Sequence, residues 1–151
     1  MIRVATHEDI PALVSLGEML HNESSYARLS YNRGKVFDLM GRVIDGAGVI
    51  FVSVKNGEVV GGIAGAVTEH WFSDEKLAFD YSFFVAPKHR HGITAMKLLC
   101  AFCEWAKLKG ATEIRLGITT AINVEGTAKL YRSMGFEDAG LLFRKEVSHG
   151  C

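Results

Sequence analysis

The chain predicts an α/β fold built on one mixed sheet, and three observations predict it. β-rich and helical segments alternate along the 151 residues. Asn56-Gly57 sits between two β-rich runs as a hairpin turn. The apolar run Phe79 to Val85 passes through Pro87 and a basic glycine turn directly into a helical pattern. The element order read from pattern is β-α-α-β-β-β-α-β-α-β, with a hairpin early and a crossover helix late.

Each element has its own signal. Ile2 to Ala5 is a short strand. Thr6 reads as a helix N-cap, with Asp9 three residues on and Pro11 in the first turn. Ile10, Leu13, Val14, Leu16 and Leu20 then give one apolar helix face. A polar stretch, His21 to Ser30, leads to a second helix carrying Val36, Phe37, Leu39, Met40, Val43 and Ile44, which Gly46 and Gly48 end. Val49 to Val54 and Val59 to Val67 form the hairpin. Gly61, Gly62, Ala64, Gly65 and Ala66 crowd its second strand and predict a close approach there. Thr68 to Lys76 reads as a loop, Gly92 to Lys109 as a helix and Glu113 to Ile118 as a short strand. The loop Thr119 to Val124 opens a helix that closes at Met134, with Gly135 as its cap, and Leu141 to Val147 reads as a last strand.

Composition narrows the class of protein. At 48% apolar and 23% charged residues the chain can bury a core and is too apolar for disorder. Seventeen basic residues balance seventeen acidic ones, which weighs against nucleic acid as a partner. No apolar run reaches spanning length and no secretory h-region follows Met1, so a cytoplasmic setting without a membrane partner is expected. Cys100 and Cys103 form C-x-x-C within a helical pattern, and Cys151 is the third cysteine. Without a second ligand pair these are expected as small, reduced core residues, with no metal.

The turn after Val85 reads Ala86-Pro87-Lys88-His89-Arg90-His91-Gly92, with Ile93, Thr94 and Ala95 opening the helix. A helix's first amides lack intrahelical partners and its dipole favours anions, so a basic glycine turn at that end suits a phosphate. An ordinary βα turn with a solvated basic patch explains the same residues equally well. A second motif separates the two. Asn123-Val124-Glu125-Gly126-Thr127-Ala128-Lys129-Leu130-Tyr131 continues to Gly135-Phe136, placing a tyrosine on a short helix four residues before the glycine.

Together the two motifs resemble those of the GNAT N-acetyltransferase superfamily. The likeness in element order covers nearly the whole chain, while the specific motifs lie in Val85 to Leu99 and Asn123 to Phe136. Two departures stand out. Against the family's R/Q-x-x-G-x-G/A turn, His89 and Thr94 occupy the first and last positions when Gly92 is the key, whereas with Arg90 as the key Gly92 falls one residue early, so the loop is either substituted at two positions or one residue shorter. One extra residue separates Asn123 from Tyr131 relative to N-x-x-A-x-x-L-Y.

The resemblance implies a single-domain α/β fold over residues 1–151, a central twisted mixed sheet flanked by about four helices. Acetyl-CoA, as acyl-donor substrate, would lie in an opening between the fourth and fifth strands. The resemblance implies that Phe84 and Val85 offer strand backbone to the pantetheine arm and that Arg90, His91, Gly92, Ile93, Thr94 and Ala95 cradle the pyrophosphate. Asn123 would be a further cofactor contact, and Tyr131 would protonate the departing thiolate. Tyr131 also reads as a core aromatic anchoring the last helix. The resemblance further implies that the acceptor would be a primary amine of a small molecule or protein, which must lose a proton before attack.

Asp80 leads as the base, being an acid within an apolar strand, where burial raises a carboxyl pKa. It reads equally as an outward-facing or structural acid. Glu69 and His70 compete for the role, and Trp71 and Phe72 are expected near an acceptor pocket. With Glu23 as the only acid between His21 and Arg33, beside two arginines, the acceptor is expected not to be polycationic and to carry a carboxylate or phosphate. The alternative function is a non-catalytic acyl-CoA-binding or protein-interaction member of the same fold. An apolar C-terminal run with Leu141, Leu142, Phe143 and Val147 leads to the expectation of a homodimer, with Phe143 near the contact.

Overall fold

The computed structural model describes residues 1–90 and 92–147. Among these, β1 (Ile2–Val4), β2 (Val49–Lys55), β3 (Glu58–Glu69), β4 (Lys76–Val85) and β5 (Ala111–Arg115) form one sheet in chain order. The first four strands pair antiparallel, and β5 joins β4 in parallel after a crossover. The helices are α1 (Ile10–Glu23), α2 (Arg33–Arg42), α3 (Thr94–Leu108) and α4 (Val124–Ser133).

Each face of the sheet is covered, which is why β3 runs apolar from Val59 to Val67 rather than alternating. On one face Ile10, Leu13 and Val14 of α1 and Met40 of α2 pack on Ile50, Val52, Ala64 and Phe84. On the other, Leu98, Leu99, Phe102 and Ala106 of α3 pack with Tyr131 on Ile63, Ala78 and Val85. Local chemistry sets the boundaries. The Thr6 amide donates to the Asp9 carboxylate at 2.8 Å, fixing the turn into α1, and Arg3 closes on both Asp9 oxygens at 2.7 and 2.9 Å. The Asn32 side chain caps α2 by accepting from the Lys35 amide at 3.0 Å. Asn56 and Gly57 turn β2 into β3 with φ of 52° and 77°.

Several expected boundaries move. The segment expected as a loop, Thr68 to Lys76, shortens because Glu69 pairs with Lys76 at the base of β4. The fifth strand lies at Ala111–Arg115 rather than Glu113 to Ile118, because only that stretch reaches Lys76 to Phe79 of β4. Leu141 to Val147 is not a strand. Its three leading apolar residues are contiguous rather than alternating, and no strand takes up its backbone. Cys103 is half-buried as expected, whereas Cys100 is exposed on the outer face of α3. No helix among the described residues is long and apolar enough to cross a membrane.

The glycine-rich stretch of β3 lets α3 sit close to the sheet. A Cβ at Gly65 would overlap the Phe79 carbonyl oxygen and lie 2.5 Å from the Phe102 ring. Neither backbone nor buried ring can yield, so Gly65→Ala is expected to destabilise the fold by about 2–3 kcal/mol in urea titration. An unchanged midpoint would show that α3 stands off the sheet.

Candidate active site

The pairing of β4 with β5 stops at Phe79 opposite Arg115, although β4 runs on to Val85. Beyond that rung the two chains part. Tyr81 is squeezed out of the β3–β4 ladder as a bulge, since Ala64 stands opposite Ser82 and Gly65 opposite Asp80. After the bulge the Ala86 amide donates to Val60 at 2.8 Å and Phe84 faces Gly62. By alternation, the backbone of Phe84 points to β3, while that of Phe83 and Val85 points into the opening. Phe83, rather than Phe84, therefore joins Val85 in offering backbone groups there; Phe84 contributes its ring.

The opening is part of a cleft of about 970 Å³ that runs from α1 and α2 across β4 to the starts of α3 and α4. Gly92, Ile93 and Ala95 line it where α3 begins, and α3 has no side-chain cap. The residues opening α3 therefore present uncapped amides to the cleft. Thr94 differs from expectation. It is buried at the first position of α3 and does not line the cleft. His91 lies outside the described residues. Arg90 lines the cleft but is engaged by protein groups: its Nε donates to the Val85 carbonyl at 2.8 Å, and its guanidinium pairs with Glu23 at the end of α1.

Tyr131 is held by the way α4 ends. The Phe136 amide donates to the Tyr131 carbonyl at 3.1 Å and the Gly135 amide to the Arg132 carbonyl at 3.1 Å, with Gly135 at φ 91°. This paired helix stop requires a residue at positive φ and brings the flanking side chains together. The Tyr131 and Phe136 rings accordingly lie 5.7 Å apart, and Phe83 stacks on Tyr131 at 6.4 Å. Burial, with the negative charge of Asp80 second, pushes the Tyr131 phenol above its ordinary range.

Asp80 is the only carboxylate among the described residues lining the cleft. Burial pushes it up to about 6, while the amides of its own residue and of Gly117 favour the charged form. Asp80 and Tyr131 thus meet at the point where β4 and β5 part. Glu69 is not brought there: it is exposed at the base of β4, opposite Lys76. His70 packs against Phe72, and Trp71 and Phe72 are 95% and 67% exposed, away from the cleft lining. Asn123 does line it, in the left-handed conformation at φ 45° that starts α4. Its side chain lies over Gly126, where a Cβ would come within 2.5 Å of the amide nitrogen.

Sequence reasoning missed the residues that close the cleft's other end. Ser25 donates its amide to the Thr120 carbonyl at 2.8 Å and its hydroxyl to the Thr119 carbonyl at 2.7 Å, tying the loop after α1 to the loop after β5. Tyr31 donates to the Val14 carbonyl at 2.9 Å across Gly17. Only Gly17, an unneeded glycine inside a helical pattern, was a signal for this packing.

An unfolded aspartate titrates near 3.8, so the native state binds the Asp80 proton more tightly. Its stabilising contribution is present below about pH 4 and is lost as pH rises through about 6. Asp80→Asn is therefore expected to stabilise the protein at pH 7.5 by roughly 2 kcal/mol, after discounting for partial exposure, and to have little effect at pH 4. Thermal melts at the two pH values check this; an equal shift at both would assign the effect to packing.

Comparisons with known proteins agree on the fold. A model of the acetyltransferase (GNAT) family matches residues 15–136. A transcriptional regulator from Bacillus halodurans C-125 superposes with a TM-score of 0.78 at 20% identity, covering 97% of this chain and 99% of the other. The aminoglycoside acetyltransferase AAC(6')-Iy, in complex with the bisubstrate analogue CoA-S-monomethyl-acetylneamine, gives 0.76 at 18% identity over 97% and 98%. A predicted acetyltransferase with acetyl-CoA from Clostridium acetobutylicum gives 0.75 at 17% over 97% and 95%. No curated protein sequence matches the chain. With the matched segment spanning β4, its turn, α3 and α4, the chain belongs to the GNAT acetyltransferase family.

Proposed function

We propose that the protein transfers the acetyl group of acetyl-CoA to a primary amine by direct attack of the amine on the thioester. The observation that carries this is the placement of Asp80 and Tyr131 in one cleft where two parallel strands separate. Acetyl-CoA as co-substrate fits the cleft. Phe83 and Val85 turn backbone amides into it, and the uncapped start of α3 offers further amides to phosphate oxygens. A CoA-containing bisubstrate analogue in one structural neighbour and acetyl-CoA in another support the same ligand.

Each residue then has a task. Asp80, with a carboxyl pushed up to about 6, accepts the proton that the ammonium form of the acceptor must lose. A backbone amide of β4 donates to the carbonyl oxygen as charge develops on it. Tyr131 stays protonated at working pH and its hydroxyl hydrogen-bonds the departing sulfur, and the thiolate takes up the second proton that the nitrogen sheds as the amide forms, leaving CoA as a thiol. The close loops Ser24 to Tyr26 and Thr119 to Asn123 help exclude water.

Thiol release from acetyl-CoA with a panel of amines tests this reading. The rate with a responsive amine is expected to fall on the acid side with an apparent pKa near 6, and Asp80→Asn to remove most of the activity. Tyr131→Phe is expected to lower kcat by about tenfold to a thousandfold with little change in KM for acetyl-CoA. Full activity in both variants would leave the pair as packing residues and favour the non-catalytic alternative.

The tail supports a proposal of self-association. Leu141, Phe143 and Val147 are 84–85% exposed, and β5 has a partner on one side only. A second copy would cover this apolar surface, with Phe143 in the contact. Sedimentation at tens of micromolar is expected to show a dimer that Phe143→Ser weakens; a monomer throughout would overturn it.

A further inference from the structure

We infer that the end of the cleft between α1, α2 and β4, remote from the phosphate-facing amides at the start of α3, takes the acceptor and selects a monoamine carried on an uncharged apolar or aromatic body, against both polycationic and carboxylate-bearing amines. The inference deepens the transfer reading and rests on it for the catalytic measurements below.

The wall between α1, α2 and β4 carries it. Leu20, Tyr26, Tyr31, Leu39, Met40 and Phe84 line this end, a mainly hydrocarbon and aromatic surface. It is built rather than incidental. Gly17 leaves space inside α1 that a Cβ would fill to 2.8 Å from the Tyr31 hydroxyl. The Tyr31 hydroxyl lies in that space and donates to the Val14 carbonyl, which holds the ring beside α1. The polar end of Tyr31 is thereby used, and the ring forms part of the wall. His21 is used similarly, its Nε2 lying 2.6 Å from the Leu29 carbonyl oxygen.

Charge supplies the second, independent part. Among the described residues lining the cleft, Asp80 is the only acid, and one carboxylate matches one ammonium. A second or third ammonium brought into this cleft would lose water without gaining a partner there. Anionic acceptors fare no better. Arg90 pairs with Glu23, Arg28 with Glu146 and Arg33 with Glu18, so these three arginines near this end are already engaged, and Arg144 donates to the Ser25 hydroxyl at the rim. The sequence-based expectation of a carboxylate or phosphate on the acceptor counted those arginines as available, and the ion pairs remove its basis.

The test measures thiol release and calorimetric binding with the full chain and 2-phenylethylamine, spermidine, kanamycin and phenylalanine. The expected result is a kcat/KM for 2-phenylethylamine at least tenfold above each of the other three. Tyr26→Glu, which adds a second carboxylate at the half-buried rim, is expected to raise spermidine about tenfold relative to 2-phenylethylamine. Spermidine, kanamycin or phenylalanine equalling 2-phenylethylamine in the unaltered protein would overturn the inference. If no amine releases thiol, the transfer reading fails and calorimetry decides the pocket's preference. Tighter binding of 2-phenylethylamine than of spermidine, kanamycin and phenylalanine then upholds it, and no such preference overturns it.

Discussion

The site depends on the separation of two parallel strands. Had β5 followed β4 to Val85, the backbone of Phe83 and Val85 would be consumed in a ladder and no cleft would exist. Instead the pairing ends at Phe79, and α4 brings the Tyr131 ring against Phe83 just beyond the last rung. Buried backbone groups must be satisfied by something. Arg90 takes the Val85 carbonyl, while the amides of Phe83 and Val85 face the opening. The Tyr81 bulge contributes by re-aiming the strand between Asp80 and Ser82. Asp80, two residues beyond buried Ala78, faces the α3 and α4 layer, whereas Phe84 packs in the opposite one.

Asp80 and Tyr131 are coupled by this arrangement. Each is buried enough to resist ionising, and the charge on Asp80 makes the phenolate less favourable still. Under the proposed function, the pair therefore has one mobile proton near neutral pH, on the carboxyl, while the phenol stays protonated as a donor. This arrangement depends on Gly135, because the helix stop holding Tyr131 against Phe136 needs a positive φ that other residues adopt at a cost.

Local features of both fold and site were legible where a short-range physical rule generated them. Asn56-Gly57 specifies its turn through backbone conformation, and Tyr131, Gly135 and Phe136 spell out a helix stop within six residues. Asp80 was visible as an acid in an apolar run. Features set by distant partners were not. The bulge at Tyr81 is a one-residue offset against β3 that leaves no mark in the strand's own mix of aromatic, aliphatic and polar residues. Arg90 reads as a free cation until Glu23, 67 residues earlier, is brought to it. Glu69 and Asp80 were similar candidates on one dimension, and only the register, which puts Glu69 opposite Lys76, separates them. The tail's hydrophobicity suggested a strand, but a strand requires a partner as well as composition.

The engagement of Arg90 also accounts for the irregular turn that precedes α3. When a guanidinium binds a phosphate, its position relative to the glycine is constrained by both ligand and loop. Here Arg90 ties the turn to the end of α1 and to β4, so it stabilises the loop from the protein side. Under the proposed function, phosphate recognition then falls mainly to backbone amides around Gly92 and the start of α3. Amides are present whatever the side chains are, provided the chain keeps its path. His89 and Thr94 can therefore stand where the family pattern has other residues, with Thr94 turned inward as a buried support for the helix. Among the described residues lining the cleft, Arg90 is the one fixed cation and Asp80 the one carboxylate, and the Arg90–Glu23 ion pair joins the start of α3 to the end of α1.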